Sequence, residues 1–173
     1  MKPAVASSFD VAEWFIRQSK HDRVPLSPLK LHLLMYLAQA AYAKRTAGEA
    51  LMPSMFVANE LGPIEPNLYR AFEHGSPKVA VRDPTEQVRT FLALIWHQYG
   101  EKPIDALNRL INQDPAYKQA EASGMGSEIT LAMMKSGGTP EEQPAAVRFV
   151  RGKRVQRWMP PAAPAPEGST NQS

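Results

Sequence analysis

Cysteine is absent from the 173 residues. Its absence excludes disulfides, thiol nucleophiles and the usual thiolate zinc sites, and it fits a reducing compartment. A chain of this length buries roughly two thirds of its unfolded surface on folding, so it needs no cross-link. Long apolar runs are also missing: none approaches the roughly 20 residues that cross a bilayer. Met1 to Ser8 carries one lysine and no apolar core, which is not the pattern of a signal peptide. These absences predict a cytoplasmic protein with no membrane partner.

Net charge is scarce where a nucleic-acid binder would carry it. The formal charge is +3, but residues 1–146 hold 15 basic and 16 acidic side chains. Residues 147–159 hold five basic side chains and no acidic one, and residues 160–173 add one glutamate. The body is close to neutral and the basicity sits in one short segment, whereas a DNA-binding domain spreads its charge over a folded face.

What is present is helical periodicity. Asp10-Val11-Ala12-Glu13 has the spacing of an N-cap with an acid at N3, and predicts a helix over about 10–20. Ser27-Pro28 is a second start, a capping hydroxyl before a proline suited to the first helical position. From Leu29 to Ala40 apolar residues occupy nearly every side, which predicts the central helix of the core. Pro66 to Phe72 reads as a helix with Gly75 past its end. Asp83-Pro84-Thr85-Glu86 starts the clearest amphipathic helix, carrying Val88, Phe91, Leu92, Ile95, Trp96 and Tyr99 and ending at Gly100. Shorter helices are expected over Pro103 to Ile111, from Asp114-Pro115 onward, and from Ser127 through Met134. Leu51 to Val57 reads as a short extended piece, in which Pro53 argues against a central strand. The expected fold is mainly α: a compact domain of about six helices, with a small antiparallel β element around 51–57 and 147–158. The expected organisation is a helical domain over 1–138, a linker over 139–146, a basic and apolar segment over 147–159, and a disordered Pro/Ala/Ser-rich tail over 160–173.

Catalytic patterns are weak. Ser27-Pro28-Leu29-Lys30 imitates the Ser-x-x-Lys of penicillin-recognising enzymes, Lys135-Ser136-Gly137 their Lys-Ser-Gly, and Ser169-Thr170-Asn171 their Ser-x-Asn. The context fails: Lys135 follows a helical run, and the Ser-x-Asn falls in the tail in the wrong order. His21, His32, His74 and His97 show no paired ligand spacing and read as surface or boundary residues. Trp14, Phe91, Trp96 and Tyr99 sit at core spacings. Lys30 reads as a solvated lysine at a helix start, and Gly62-Pro63 as a turn. No enzyme activity and no cofactor are expected.

The basic segment, Val147 to Met159, alternates apolar and basic residues on either side of Arg151-Gly152. Its candidate contact residues are Arg148, Phe149, Val150, Arg151, Lys153, Arg154, Val155, Arg157 and Trp158. Three readings are open. One is a β-hairpin folded on the body, turning at Gly152. Another is a tethered peptide that adds a strand to a partner's sheet edge. The third is contact with nucleic-acid phosphate, weak and salt-sensitive without a basic body; nucleic acid is therefore not the expected partner.

Pro25 to Gln39 resembles the opening motif of the Panacea domain, found in SocA-type antitoxins and related phage-associated proteins. The matching residues are Lys30, Leu31, Leu34, Tyr36, Ala38 and Gln39. A second motif is similar at Gly62-Pro63-Ile64 followed by Leu68-Tyr69, and a third at Tyr99-Gly100 through Leu107 to Pro115-Ala116-Tyr117. The sequence departs from the family where a tryptophan is Asn59, a lysine is Leu33 and a Thr-His pair is Ile111-Asn112. The resemblance covers about 10–121. It implies an antitoxin that binds a SocB-like protein toxin and, as a proteolytic adaptor, delivers it to ClpXP, with ClpX as second partner. A stoichiometric antitoxin that occludes its toxin, with DNA-binding autoregulation through the basic segment, is the alternative. The hypothesis attached to the adaptor reading is that the body holds the toxin while 147–159 engages ClpX.

Overall fold

One helix organises the architecture. Ser27 Oγ accepts the Lys30 N–H at 3.2 Å and Pro28 takes the first helical position, so Pro28–Arg45 (α2) starts sharply. From Lys30 to Ala41 every residue of α2 is buried. A helix apolar on all sides has to be surrounded. Ser8–Asp22 (α1), Glu86–Tyr99 (α4), Ile104–Gln113 (α5) and Leu131–Ser136 (α7) all pack on α2. Each fully buried leucine among Leu33, Leu34, Leu92 and Leu107 contributes about 1.5–3 kcal/mol relative to exposure.

The computed structural model describes residues 2–73, 75, 77–137, 148–150 and 153–155, the last six by their backbone. The chain divides into two compact units, Met1–Pro140 and Glu141–Ser173. Among the described residues the first unit has seven helices, against about six expected; Pro66–Phe72 (α3) and Pro115–Ala122 (α6) complete the set. None is long and apolar enough to cross a membrane. The expected linker and tail lie outside the described residues.

Several boundaries move from the sequence expectation, each for a local reason. Helix α1 is capped by Ser7, not Asp10. Ser7 Oγ accepts from Phe9 N–H at 3.2 Å, and Asp10 Oδ2 accepts back from Ser7 N–H at 3.1 Å. Asp10 has the acid's place in a capping box one turn earlier, and its other oxygen accepts the Arg82 N–H at 2.8 Å. Helix α4 is capped by Thr85, which frees Asp83 to pair with Arg17 at 2.8 Å. The last helix starts after Thr130 rather than at Ser127. The Ser127 carbonyl is already used by Ala58 N–H at 2.9 Å, so the chain there runs extended.

That extended stretch is the partner of the short strand. Phe56–Val57 (β1) pairs antiparallel with Glu128–Ile129 (β2), and Val57 also bridges to Ile64. The expected β element around 51–57 is thus confined to its last two residues, and its partner comes from 128–129. Leu51 and Met52 are not in a strand because the Gln39 side chain takes both of their N–H groups. In the second unit, Arg148–Val150 (β3) pairs antiparallel with Lys153–Val155 (β4), with Phe149 opposite Arg154. This backbone is that of a hairpin; residues 151, 152 and 156–159, including Arg151, Arg157 and Trp158, lie outside the described residues.

Candidate functional site

The family-motif residues of α2 fall into two groups. The later ones hold the core together. Leu31 and Leu34 are buried. Tyr36 Oη donates to Asp114 Oδ2 at 2.6 Å, while Asp114 Oδ1 caps α6 through Ala116 N–H at 3.1 Å. Burial, then the Asp114 charge, pushes the Tyr36 hydroxyl far above its ordinary range. Gln39 Oε1 accepts from Leu51 and Met52 N–H, both at 3.1 Å, and its Nε2 donates to Met52 O at 3.2 Å. One buried amide thereby satisfies three backbone groups of an irregular segment.

The first two turns of α2 meet the segment 61–69. Gly62 adopts φ +114°, a conformation natural to glycine. A Cβ there would lie 2.8 Å from Leu33 Cδ2 and 3.3 Å from Asn108 Oδ1, so the turn is pressed between α2 and α5. Leu33, the family's lysine position, is fully buried against this turn. Pro63 is buried beside it. Asn59, the family's tryptophan position, holds the turn by accepting from Gly62 N–H at 2.9 Å and Tyr117 Oη at 2.8 Å through its carbonyl.

His32 is buried, contrary to the surface or boundary reading. Its Nδ1 accepts the Glu65 N–H at 3.3 Å, which assigns the proton of the neutral ring to Nε2. Burial pushes its pKa down to about 4. Glu65, which the sequence reading did not single out, is only 1% exposed and caps α3: Oε2 accepts from Leu68 N–H at 2.7 Å and Oε1 from Asn67 Nδ2 at 3.0 Å. The signals were a carboxylate just before Pro66 and a histidine inside a helix with no polar face.

Lys30 also departs from expectation. The residue as a whole is only 7% exposed. Among the described residues its amine has no hydrogen-bond acceptor or ion-pair partner; burial lowers its pKa, and the charge of Glu101 raises it. In the Ser-x-x-Lys pattern, Ser27 Oγ accepts the backbone N–H of Lys30, and Lys135-Ser136 close a helix rather than a strand. On the segment 61–69 two large apolar side chains stay in solvent: Leu61 is 59% exposed and Tyr69 is 55% exposed. The Tyr69 ring stands 6.3 Å from that of His32.

Two clefts lie elsewhere, along α1. One of about 230 Å³ is lined by Phe9, Ala12, Ile16, Phe72 and Val79, and the other of about 380 Å³ by Ile16, Val24, Pro25 and Leu26. The second borders Pro25 and Leu26, which open the Pro25–Gln39 stretch, and neither is lined by Lys30, Tyr36, Gln39, Gly62, Pro63 or Tyr69. Among the described residues no three His, Asp or Glu side chains gather as metal ligands. No family model, curated protein or solved structure matches the chain. The Panacea resemblance therefore stands on its motif residues alone.

Proposed function

We propose that the chain is a cytoplasmic antitoxin of the Panacea type, in which the helical body holds a protein toxin and the basic segment 147–159 addresses ClpX, so that the toxin is degraded by ClpXP. The observation that carries the binding part is the exposure of two large apolar side chains, Leu61 and Tyr69, on the segment that also holds the motif residues Gly62 and Pro63. Exposed apolar anchors gain by being covered, which is met when a protein docks there. The adaptor part draws on the charge division of the sequence, since a short basic segment joined to a neutral body can raise the local concentration of cargo at a protease.

The test is co-expression with the protein encoded beside it, scored for growth, followed by degradation of that protein by ClpXP. Growth rescue with accelerated degradation supports the adaptor. Rescue without degradation supports occlusion. If truncation after Gly138 leaves degradation unchanged, the basic segment is not the tether.

A further inference from the structure

The turn after α1 builds a cleft with an apolar floor and a cationic rim. Arg23 N–H donates to Lys20 O and Val24 N–H to Ser19 O, the paired bonds that close a helix through a left-handed residue. That residue is Arg23, at φ 59°, where glycine or asparagine is the ordinary choice. The chain then runs without secondary structure through Val24-Pro25-Leu26 and enters α2 at Ser27. The cleft of about 380 Å³ is lined by both arms of this connection. Its volume falls within the roughly 300–1,000 Å³ of ligand clefts.

Ile16, Val24 and Leu26 supply the floor; each is half-buried and packs on the core. Ile16 also borders the cleft of about 230 Å³, so the apolar ground continues along α1. Lys20 and Arg23, both exposed, line the same opening. Cations at a helix C-terminus are ordinary, since they complement its dipole. These two are set apart by having no acid: among the described residues neither makes an ion pair. The carboxylates of α1 are committed elsewhere. Asp10 accepts from Ser7 and Arg82 N–H, Glu13 pairs with Arg17, and Asp22 holds Gln18, His21 and Trp96. Leu26 N–H and the carbonyls of Val24 and Leu26 make no backbone hydrogen bond among the described residues, and so are left to solvent.

A recessed apolar floor beside unpaired cations and open backbone groups fits an extended chain bearing apolar and acidic side chains. A membrane surface fits poorly. Lying on it needs apolar groups that protrude, and the body around the cleft is close to neutral, with 15 basic and 16 acidic residues between 1 and 146. We propose that this cleft is a second docking site, which takes an extended acidic and apolar peptide segment of a partner protein. The partner's apolar side chains cover Ile16, Val24 and Leu26. Its carboxylates pair with Lys20 and Arg23, and its backbone meets the open groups of Val24 and Leu26. The inference goes beyond the antitoxin reading and uses neither Leu61 nor Tyr69.

Three blocked pentapeptides test it on the full-length protein: alternating leucine and glutamate, the same with glutamine for glutamate, and the same with serine for leucine. Backbone amide resonances are followed during titration. The expected result is that the Lys20, Arg23, Val24 and Leu26 amides shift and saturate with the first peptide, at an affinity at least about tenfold above that for either other peptide. In Lys20→Gln/Arg23→Gly, where glycine suits the left-handed turn, that affinity is expected to fall at least about tenfold. Equal response of these amides to all three peptides overturns the site, as do shifts confined to the basic residues 147–159 or an unchanged affinity in the double variant. The same amides shifting with phosphatidylserine vesicles but not with the leucine–glutamate peptide would assign the cleft to a lipid surface, and overturn it too.

Discussion

Tyr36 and Asp114 lie 78 positions apart and are both fully enclosed, yet the phenol donates a 2.6 Å hydrogen bond to the carboxylate. The bond joins the middle of α2 to the start of α6. Tyr36→Phe keeps the ring and its edge-on contact with Phe56 at 5.6 Å, but leaves Asp114 Oδ2 without its donor. The expected cost is about 1–3 kcal/mol of unfolding free energy. Asp114→Ala also removes the α6 cap and should cost more. Urea unfolding of the two variants checks the order.

Gln39 offers a local reading of the same kind. Gln39→Ala strips Leu51 and Met52 N–H of their acceptor in a buried segment. A loss of about 2–4 kcal/mol is expected, together with fast hydrogen exchange at those two amides. Val5 N–H donates to the Leu51 carbonyl at 2.9 Å, so the Val5 amide should lose protection with them.

The His32 ring gives a pH dependence with a definite sign. Its folded pKa of about 4 lies below the ordinary 6.5, so the unfolded chain binds the proton more readily. The neutral ring's contribution is complete above about pH 6.5 and is lost as pH falls toward 4. Over that window wild type should lose about 2–3 kcal/mol more stability than His32→Asn, whose amide can still accept the Glu65 N–H. Chemical unfolding at several pH values reads the difference. Parallel curves for the two proteins would show that the ring titrates normally.

Gly62→Ala combines a left-handed backbone with a Cβ 2.8 Å from Leu33 Cδ2. Destabilisation of about 1–3 kcal/mol is expected. Adding Leu33→Ala removes the steric part and leaves the backbone part, so the double variant should lose less than the two single losses summed.

Much of the fold was legible because α2 has no polar side. An apolar helix has to be central, and the caps Ser27 and Asp114 precede prolines that mark their helices plainly. The same pattern also implied that any polar residue between 30 and 41 is buried, which is the signal for Lys30, His32 and Gln39 that composition and spacing of ligands did not carry. What stayed hidden depends on partners far along the chain. Ser127 reads as a cap until Ala58 claims its carbonyl, and Leu51-Met52 reads as a strand until Gln39 takes its N–H groups. The proposed contact segment was half visible. Gly62, Pro63 and Tyr69 came from motif spacing, while the exposure of Leu61 arises only from packing.

The central claim is that the chain binds a protein through the exposed side chains of Leu61 and Tyr69. Its most direct measurement is affinity capture from the source cells with the tagged full-length chain, wild type beside a Leu61→Ala/Tyr69→Ala variant, quantified by mass spectrometry after both are shown to melt cooperatively. The account predicts one protein recovered in near-equal amount with wild type and reduced at least about tenfold with the variant. Equal recovery of that protein by both chains would contradict it.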